Sequence, residues 1–521
     1  MSTCSSSLLA PRTPTGRSRR RPFAPASGAW APASDRAWAP GSSSAATARV
    51  ASGRTGAGST AGPTTRPTAD LQRLESPEPD GPARPALTFA QWRGDARRST
   101  SIVATLGRQS FEQEGNAVPS SSAIRTAIAL FLVALALRPQ VVGIGPLLPL
   151  IQGDLGISHG VGGLLGTIPV LCMGVFALVA PWLGRLLGTE RAIAAGVAAI
   201  GLFGFLRGVA PDPLTILVLT VGVGGGIAVV GPLLPIVVRH RAPARAALAS
   251  GVYAGGIVLG ATLSGALAVP LAGPDREWRL TLAAFSAVAV GSVTAWLVLE
   301  RPGGPEADAG DRPVAPRLPW GRPRAWAVAF VFGAQSVLFY AAVSWLPTIY
   351  VERGWSPADA GLLLALMNAT GLVATFGGPA LAERFGSRRG HLLAAAAFAL
   401  VGLLGVTTAP ALAVPVVVVL GIGLGSIFPL VLALPVDLAE RREDVGGLAA
   451  IMLFGGYVIS SVAPVALGLI RDATGGFELG LWLLIGTAVV LLGACWWFVP
   501  AGLGRRVPGD RHRAADTTAG A

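Results

Sequence analysis

The chain is 521 residues long, 52% of them hydrophobic and 13% charged, with a mean hydropathy of +0.58. A soluble domain carries roughly a quarter of its residues as charges, so the composition excludes a soluble enzyme. It also excludes a nucleic-acid binder, despite a net charge of +13. Every basic residue is Arg and none is Lys, which reads as codon usage rather than chemistry.

In chain order, positions 1–118 come first, an Ala/Pro/Ser/Thr/Gly/Arg-rich tail with little apolar periodicity. Such a segment buries too little surface to offset chain entropy and is expected to be disordered. No apolar stretch follows Arg19-Arg20-Arg21, so the run is not an export signal. After Met1 the next Met is Met173. The tail is therefore read as a mis-called start, wholly or in part, with Val103 or Val118 as the alternative beginning.

From Ile124 to Pro500 the sequence is a series of apolar stretches parted by short polar turns. About 20 apolar residues cross the hydrocarbon core as a helix. Twelve such spans are expected, at 124–148, 161–183, 192–210, 214–237, 246–271, 278–299, 325–347, 358–381, 391–409, 412–435, 446–469 and 478–499. The fold class is an all-α integral membrane protein with twelve transmembrane helices in two six-helix halves, 119–299 and 325–500. Residues 300–324 form the linker and 501–521 a C-terminal tail. The odd-side loops carry Arg185, Arg191, Arg239, Arg241, Arg384, Arg388, Arg389, Arg441 and others, against Arg276, Arg279, Arg353 and Arg471 on the opposite side. By the positive-inside rule both termini are cytoplasmic and the protein is multi-pass in the cell membrane.

Two repeats cross the linker. Pro181-x-Leu183 with Gly188 after span 2 recurs as Pro379-x-Leu381 with Gly386 after span 8. Spans 1, 4, 7 and 10 end in Leu-Pro, at Pro149, Pro235, Pro347 and Pro435. A signature on every third helix is what nested three-helix repeats predict.

These residues resemble the major facilitator superfamily. The run Gly378 to Arg389 is similar to its loop signature, with Glu383, Arg384, Gly386 and Arg388 in place. The first-half copy departs from it, with Arg185 at the acidic position and Leu186 where Arg is usual. The resemblance implies a cytoplasmic gate built on Arg185, Glu383, Arg384 and Arg388. More narrowly, the chain resembles the cyanate and nitroimidazole transporter branch over 124–500. The residues concerned are Leu137-Arg138-Pro139, Gly145 to Pro149, Gly231 to Pro235, Trp278-Arg279, Gln335-Ser336, Phe339-Tyr340, Trp345 to Pro347, Tyr457, Pro464 and Asp472 to Gly475. The branch implies a small anionic or polar nitrogen compound as solute, and the superfamily implies a monomer.

Arg138 is the most informative residue. Deep in span 1 a charge costs about 3 kcal/mol, and no Asp or Glu lies deep in any expected span. A guanidinium facing a cavity is a natural anion site. Pro139 also frees local carbonyls that Arg138 can bond instead, and a misjudged depth is a third reading. Gln335 with Phe339, and Ser336 with Tyr340, share faces of span 7 at i,i+4 spacing. They either line a cavity opposite Arg138 or find partners on other helices. Asn368, Tyr457 and Ser461 are further polar candidates. Arg207, near the end of span 3, is expected to snorkel to the interface, with anion attraction as the alternative. Gly222-x-x-x-Gly226, Gly256-x-x-x-Gly260 and Gly421-x-x-x-Gly425 read as close-packing faces.

The expected function is alternating access for a small anion, cyanate-like. The alternative is efflux of a neutral or weakly acidic compound such as a nitroimidazole, and a membrane enzyme or sensor is remote. Cys4, Cys172 and Cys495 and the scattered His residues offer no metal spacing. No cofactor is expected, and the partners are the solute and the lipid bilayer.

Overall fold

The computed structural model describes residues 121–241, 246–300, 318–441 and 443–501. The expected tail 1–118, most of the linker and nearly all of 501–521 lie outside them. Within the described residues every regular element is helical. That is the arrangement lipid enforces, because a helix bonds its own backbone polar groups.

Twelve helices are long and apolar enough to cross a membrane: Ile124–Leu155, His159–Ala177, Thr189–Gly208, Pro213–Arg241, Leu248–Ala272, Trp278–Leu299, Pro323–Glu352, Pro357–Ala382, Arg388–Thr408, Pro410–Leu432, Asp444–Thr474 and Glu478–Phe498. They are called spans 1 to 12. Outward faces carry the apolar side chains left exposed, such as Leu214, Val373 and Trp497. Spans 1 and 7 are the most enclosed, with 67% and 72% of their central windows buried, and so lie at the centre.

The Leu-Pro signatures do not end their spans, a correction to the sequence reading. Pro149, Pro235 and Pro347 lie inside helices that run on to Leu155, Arg241 and Glu352. Only at span 10 does the chain break there, with Leu434–Leu438 a separate short helix. Each proline costs the helix one backbone bond, which membrane helices tolerate because neighbouring helices and local adjustment re-satisfy the freed carbonyl.

The halves repeat at a fixed offset. Pro149, Gly156 and Ser158 recur 198 residues on as Pro347, Gly354 and Ser356 (149 to 347, 156 to 354, 158 to 356). Gly156 and Gly354 both adopt positive φ, 63° and 89°, where a side chain would be strained. Ser158 and Ser356 each cap the next helix, accepting from Val161 N at 3.3 Å and Asp359 N at 3.1 Å.

The glycine pairs are close-packing faces. Gly226 abuts Gly196 on span 3, Gly260 abuts the Leu135 carbonyl on span 1, and Gly425 abuts Gly371 on span 8. Span 5 thus packs on span 1, span 4 on spans 2 and 3, and span 10 on spans 8 and 9.

The polar contacts between the halves lie toward the end carrying Asp154. Span 2 runs along span 11 and span 5 along span 8. On span 1, Gly145 abuts the carbonyl of Val343 on span 7, its own counterpart at the 198 offset. A Cβ at Gly163 would sit 2.5 Å from the Pro464 carbonyl, and one at Gly361 2.8 Å from the Gly265 carbonyl. Asp472 of span 11 reaches across to the start of span 2. It accepts from His159 N at 3.0 Å and Gly160 N at 2.7 Å, and lies 2.9 Å from His159 Nδ1. Thr167 donates to the Ser461 carbonyl at 2.7 Å and accepts from Val465 N at 3.2 Å.

Candidate functional site

Pro139 sets the local structure around the central arginine. Lacking an N–H, it ends the helix Ser121–Ala136 and opens the short helix Pro139–Val142, with Arg138 as its N-cap. A second break follows at Gly143, before Ile144–Leu155. The Arg138 carbonyl accepts from Val141 N at 3.0 Å and Val142 N at 2.9 Å. Those are the first backbone bonds of the short helix, and among the described residues no hydrogen bond runs from the Arg138 side chain to a helix carbonyl.

Arg138 stays partly exposed although Leu137, Pro139 and Gln140 are buried. Mid-span, that exposure means an internal space. The groups that face the guanidinium are phenol hydroxyls, Tyr340 within hydrogen-bond reach and Tyr457 within electrostatic reach. No Asp or Glu pairs with it among the described residues.

Around this pair the walls are aromatic. The Tyr340 and Tyr457 rings lie 6.3 Å apart, Phe339 stands edge-on to Tyr340 at 5.3 Å, and Phe332 edge-on to Tyr457 at 5.1 Å. Tyr340 donates to the thioether of Met173 at 3.6 Å, which brings in span 2. Spans 1, 2, 7 and 11 thus converge, drawn from both halves.

Of the polar residues read from the sequence, Arg138, Tyr340 and Tyr457 come together. Gln335 is buried and accepts from Ser336 on its own helix at 3.2 Å. Asn368 is buried and donates to its own helix at Leu364 O, 2.8 Å. Ser461 serves the contact between halves through its carbonyl. Met173 and Phe332 carry no sequence signal beyond being apolar, since only the fold turns them inward.

Arg207 departs from expectation. It is fully buried rather than snorkelling, and Nη1 donates to the Gln140 carbonyl at 3.1 Å. Gly204, one turn earlier, is filled against by the Gln140 amide. Span 1 therefore touches span 3 through Gln140, and the guanidinium points inward to it.

The gate residues lie at the opposite end, near Arg125. Glu383 and Arg384 are in the last turn of the helix Pro357–Phe385 rather than in a loop. The turn is only Gly386, at φ 66°, and Ser387, whose hydroxyl accepts from Gly390 N. Arg384 is exposed. Arg388 Nε lies 3.0 Å from Asp437 Oδ2, close enough to pair but not aligned for a hydrogen bond. Burial pushes the Asp437 carboxyl up, against the pull of Arg388. In the first half Arg185 is exposed on the helix Ala180–Leu187. The equivalent bridge there is Glu190 with Arg241, and Arg241 also approaches Glu300 at 3.5 Å.

A bundle of twelve apolar spans in two repeated halves, with an arginine at their centre that has no carboxylate partner among the described residues, describes a membrane transporter. Residues 126–461 and 354–518 match the Major Facilitator Superfamily model, and the chain belongs to that family of multi-pass plasma-membrane transporters, not to an enzyme class. Solved structures agree on the fold. A D-xylose-proton symporter superposes with a TM-score of 0.62 at 14% identity, covering 74% of this chain and 100% of that one. A bacterial homolog of the human lysosomal transporter Spinster gives 0.60 at 17% identity, over 76% and 100%.

Within the family the chain falls in the cyanate and nitroimidazole branch. It is 31% identical to the cyanate transport protein CynX of Escherichia coli, over 67% of this chain and 91% of that protein. It is 28% identical to the 2-nitroimidazole transporter of Escherichia coli, over 70% and 91%.

Proposed function

We propose that the protein carries a small monovalent anion, of the cyanate class, by alternating access around Arg138. The observation that carries this is Arg138, partly exposed mid-span, with no carboxylate paired to it among the described residues. A fixed cation with no internal counter-charge gains most from an anionic ligand. Tyr340 and Tyr457 would donate to the same ligand from the other half, so binding would draw the halves together. The similarity to CynX supports this solute class.

The gate reading assigns Arg185, Glu383, Arg384 and Arg388 to the face that carries Arg125 and Leu299, taken as cytoplasmic. On that face several ion pairs join residues of the same half: Arg241 with Glu190 and Glu300, Arg441 with Glu443, and Arg322, Arg324 and Arg388 with Asp444, Glu440 and Asp437. The described polar bonds between halves lie at or toward the Asp154 end. The monomer is the working unit in this reading. Gln335 and Asn368 are then second-rank lining residues, reached only if their local bonds break.

A second reading has one observation in its favour. The Phe332, Phe339, Tyr340 and Tyr457 walls suit a flat heterocycle stacked on them, which fits export of a nitroimidazole.

The test is uptake of labelled cyanate in a host lacking its own carrier, comparing wild type with Arg138→Ala and Arg138→Gln at equal membrane levels. Saturable uptake in wild type, reduced at least about tenfold in both variants, is expected for the loss of a charge-assisted contact of roughly 1.5–3 kcal/mol. Full uptake in Arg138→Gln would sink the assignment. Wild-type cells that take up no cyanate but accumulate less 2-nitroimidazole would favour the second reading.

A further inference from the structure

Arg207 is a second buried cation that the reading of Arg138 does not use. Its side chain has no exposure at all, and no carboxylate pairs with it among the described residues. Nη1 is committed to the Gln140 carbonyl at 3.1 Å, while Nε and Nη2 have no partner.

Those two nitrogens are not a random remainder. Nε and Nη2 form one edge of the guanidinium, the side-on fork that meets two oxygens of a planar anion in parallel. The bond to Gln140 fixes the plane of the group and leaves that edge pointing into protein. The Gln140 amide is itself held, donating to Leu282 O at 3.1 Å and to Ser286 Oγ at 2.9 Å. A buried guanidinium with one hydrogen bond and no counter-charge is costly, and a bound anion on the free edge removes that cost.

The geometry points to a second anion site, inside the first half, in which the Nε–Nη2 edge of Arg207 holds a planar monovalent oxyanion of the nitrate, formate or bicarbonate class. The site lies wholly on spans 1, 3 and 6, whereas the Arg138 space is built from both halves. It neither depends on the transported solute nor requires Arg138. Its ligand neutralises the first half and steadies the short helix Pro139–Val142 on which Arg138 is mounted.

The experiment uses the purified full chain, dialysed into gluconate and then titrated with nitrate, formate or chloride at constant ionic strength. The apparent thermal midpoint is followed for wild type, Arg138→Gln, Arg207→Gln and Arg207→Lys. A ligand that binds only the folded state raises the midpoint with concentration. We expect a rise in wild type and in Arg138→Gln, with nitrate and formate ahead of chloride, and a smaller one in Arg207→Gln, where only Arg138 is left to hold an anion. Arg207→Lys keeps the charge and loses the fork, so it should respond to all three anions alike. If Arg207→Gln does not fold, the loss of selectivity in Arg207→Lys decides. No rise in wild type would overturn the site, as would a planar-anion preference unchanged in Arg207→Lys. A rise lost in Arg138→Gln and kept in Arg207→Gln would place the anion at the central space instead, leaving the transport reading standing and this one refuted.

Discussion

The seam between spans 2 and 11 and the seam between spans 8 and 5 are copies in backbone and unlike in chemistry. Each brings a small residue against a carbonyl of the other half, Gly163 against Pro464 and Gly361 against Gly265. Around the first, Thr167, His159 and Asp472 make side-chain bonds across the join. Across the second, no side-chain hydrogen bond is found among the described residues. Shape alone decides where the halves touch, because small residues let backbones approach in lipid. The polar groups then decide which join holds harder. The 2–11 seam must break directional bonds to open, and the 5–8 seam only has to lose packing.

The largest expected effect comes from filling a seam. Gly163→Leu drives a side chain into the Pro464 and Val465 backbone, where nothing flexible can yield. Overpacking of this kind costs about 1–3 kcal/mol. We expect a clear fall in thermal midpoint and loss of uptake, and Gly361→Leu should do the same if the seams are equivalent in shape.

Next is Asp472→Asn, which keeps one acceptor for span 2 and loses the charge shared among His159 N, Gly160 N and the imidazole. A loss of about 1–2 kcal/mol is expected for these charged hydrogen bonds, read as a lower midpoint. Should Asp472→Asn match wild type, the contrast between seams has no energetic content.

Smaller still is the bridge on the opposite face, where the halves carry the same link with reversed sign, Glu190 to Arg241 and Arg388 to Asp437. Glu190→Arg should cost about 0.5–1 kcal/mol, and the added Arg241→Glu should restore only part of it, because the new carboxylate also faces Glu300, the coupling being measured by a double-mutant cycle.

The smallest effect is one of pH. Burial holds Asp437 above the ordinary carboxylate range, so folding favours its protonated form. That contribution is complete at pH values below the ordinary range and is lost as pH rises through the raised value. Asp437→Asn mimics the protonated form and should flatten that part of the midpoint-against-pH curve.

Much of this was legible before any coordinates. Spans are long apolar runs, and the Arg138-Pro139 pair announces both a charge and a helix break in one dipeptide. Tyr340 and Tyr457 were readable as polar groups in apolar helices. What could not be read was depth and facing. Arg207, one residue before the end of span 3, looks from spacing like an interfacial arginine. Only Gly204, by admitting Gln140, turns it inward. Gln335 and Asn368 satisfy themselves on their own helices, which periodicity cannot foresee. Met173 joins the site through one thioether contact with no counterpart in pattern. The Leu-Pro signatures were real repeats but poor helix ends, because a membrane helix can absorb the one bond a proline removes and run on.

Gly145 lies against Val343, and these two residues exchange under the 198-residue repeat. The midpoint of any two exchanging points lies on the two-fold axis, so this contact marks a fulcrum. From it span 1 extends as a lever back to Ile124, about 30 Å at the helical rise. A rocking of one half by about 10° would swing that tip by roughly 5 Å while the fulcrum scarcely moved. Spectroscopic labels placed beside residues 145 and 343 should therefore report an almost constant separation through the cycle, and labels near 124 and 323 the full stroke.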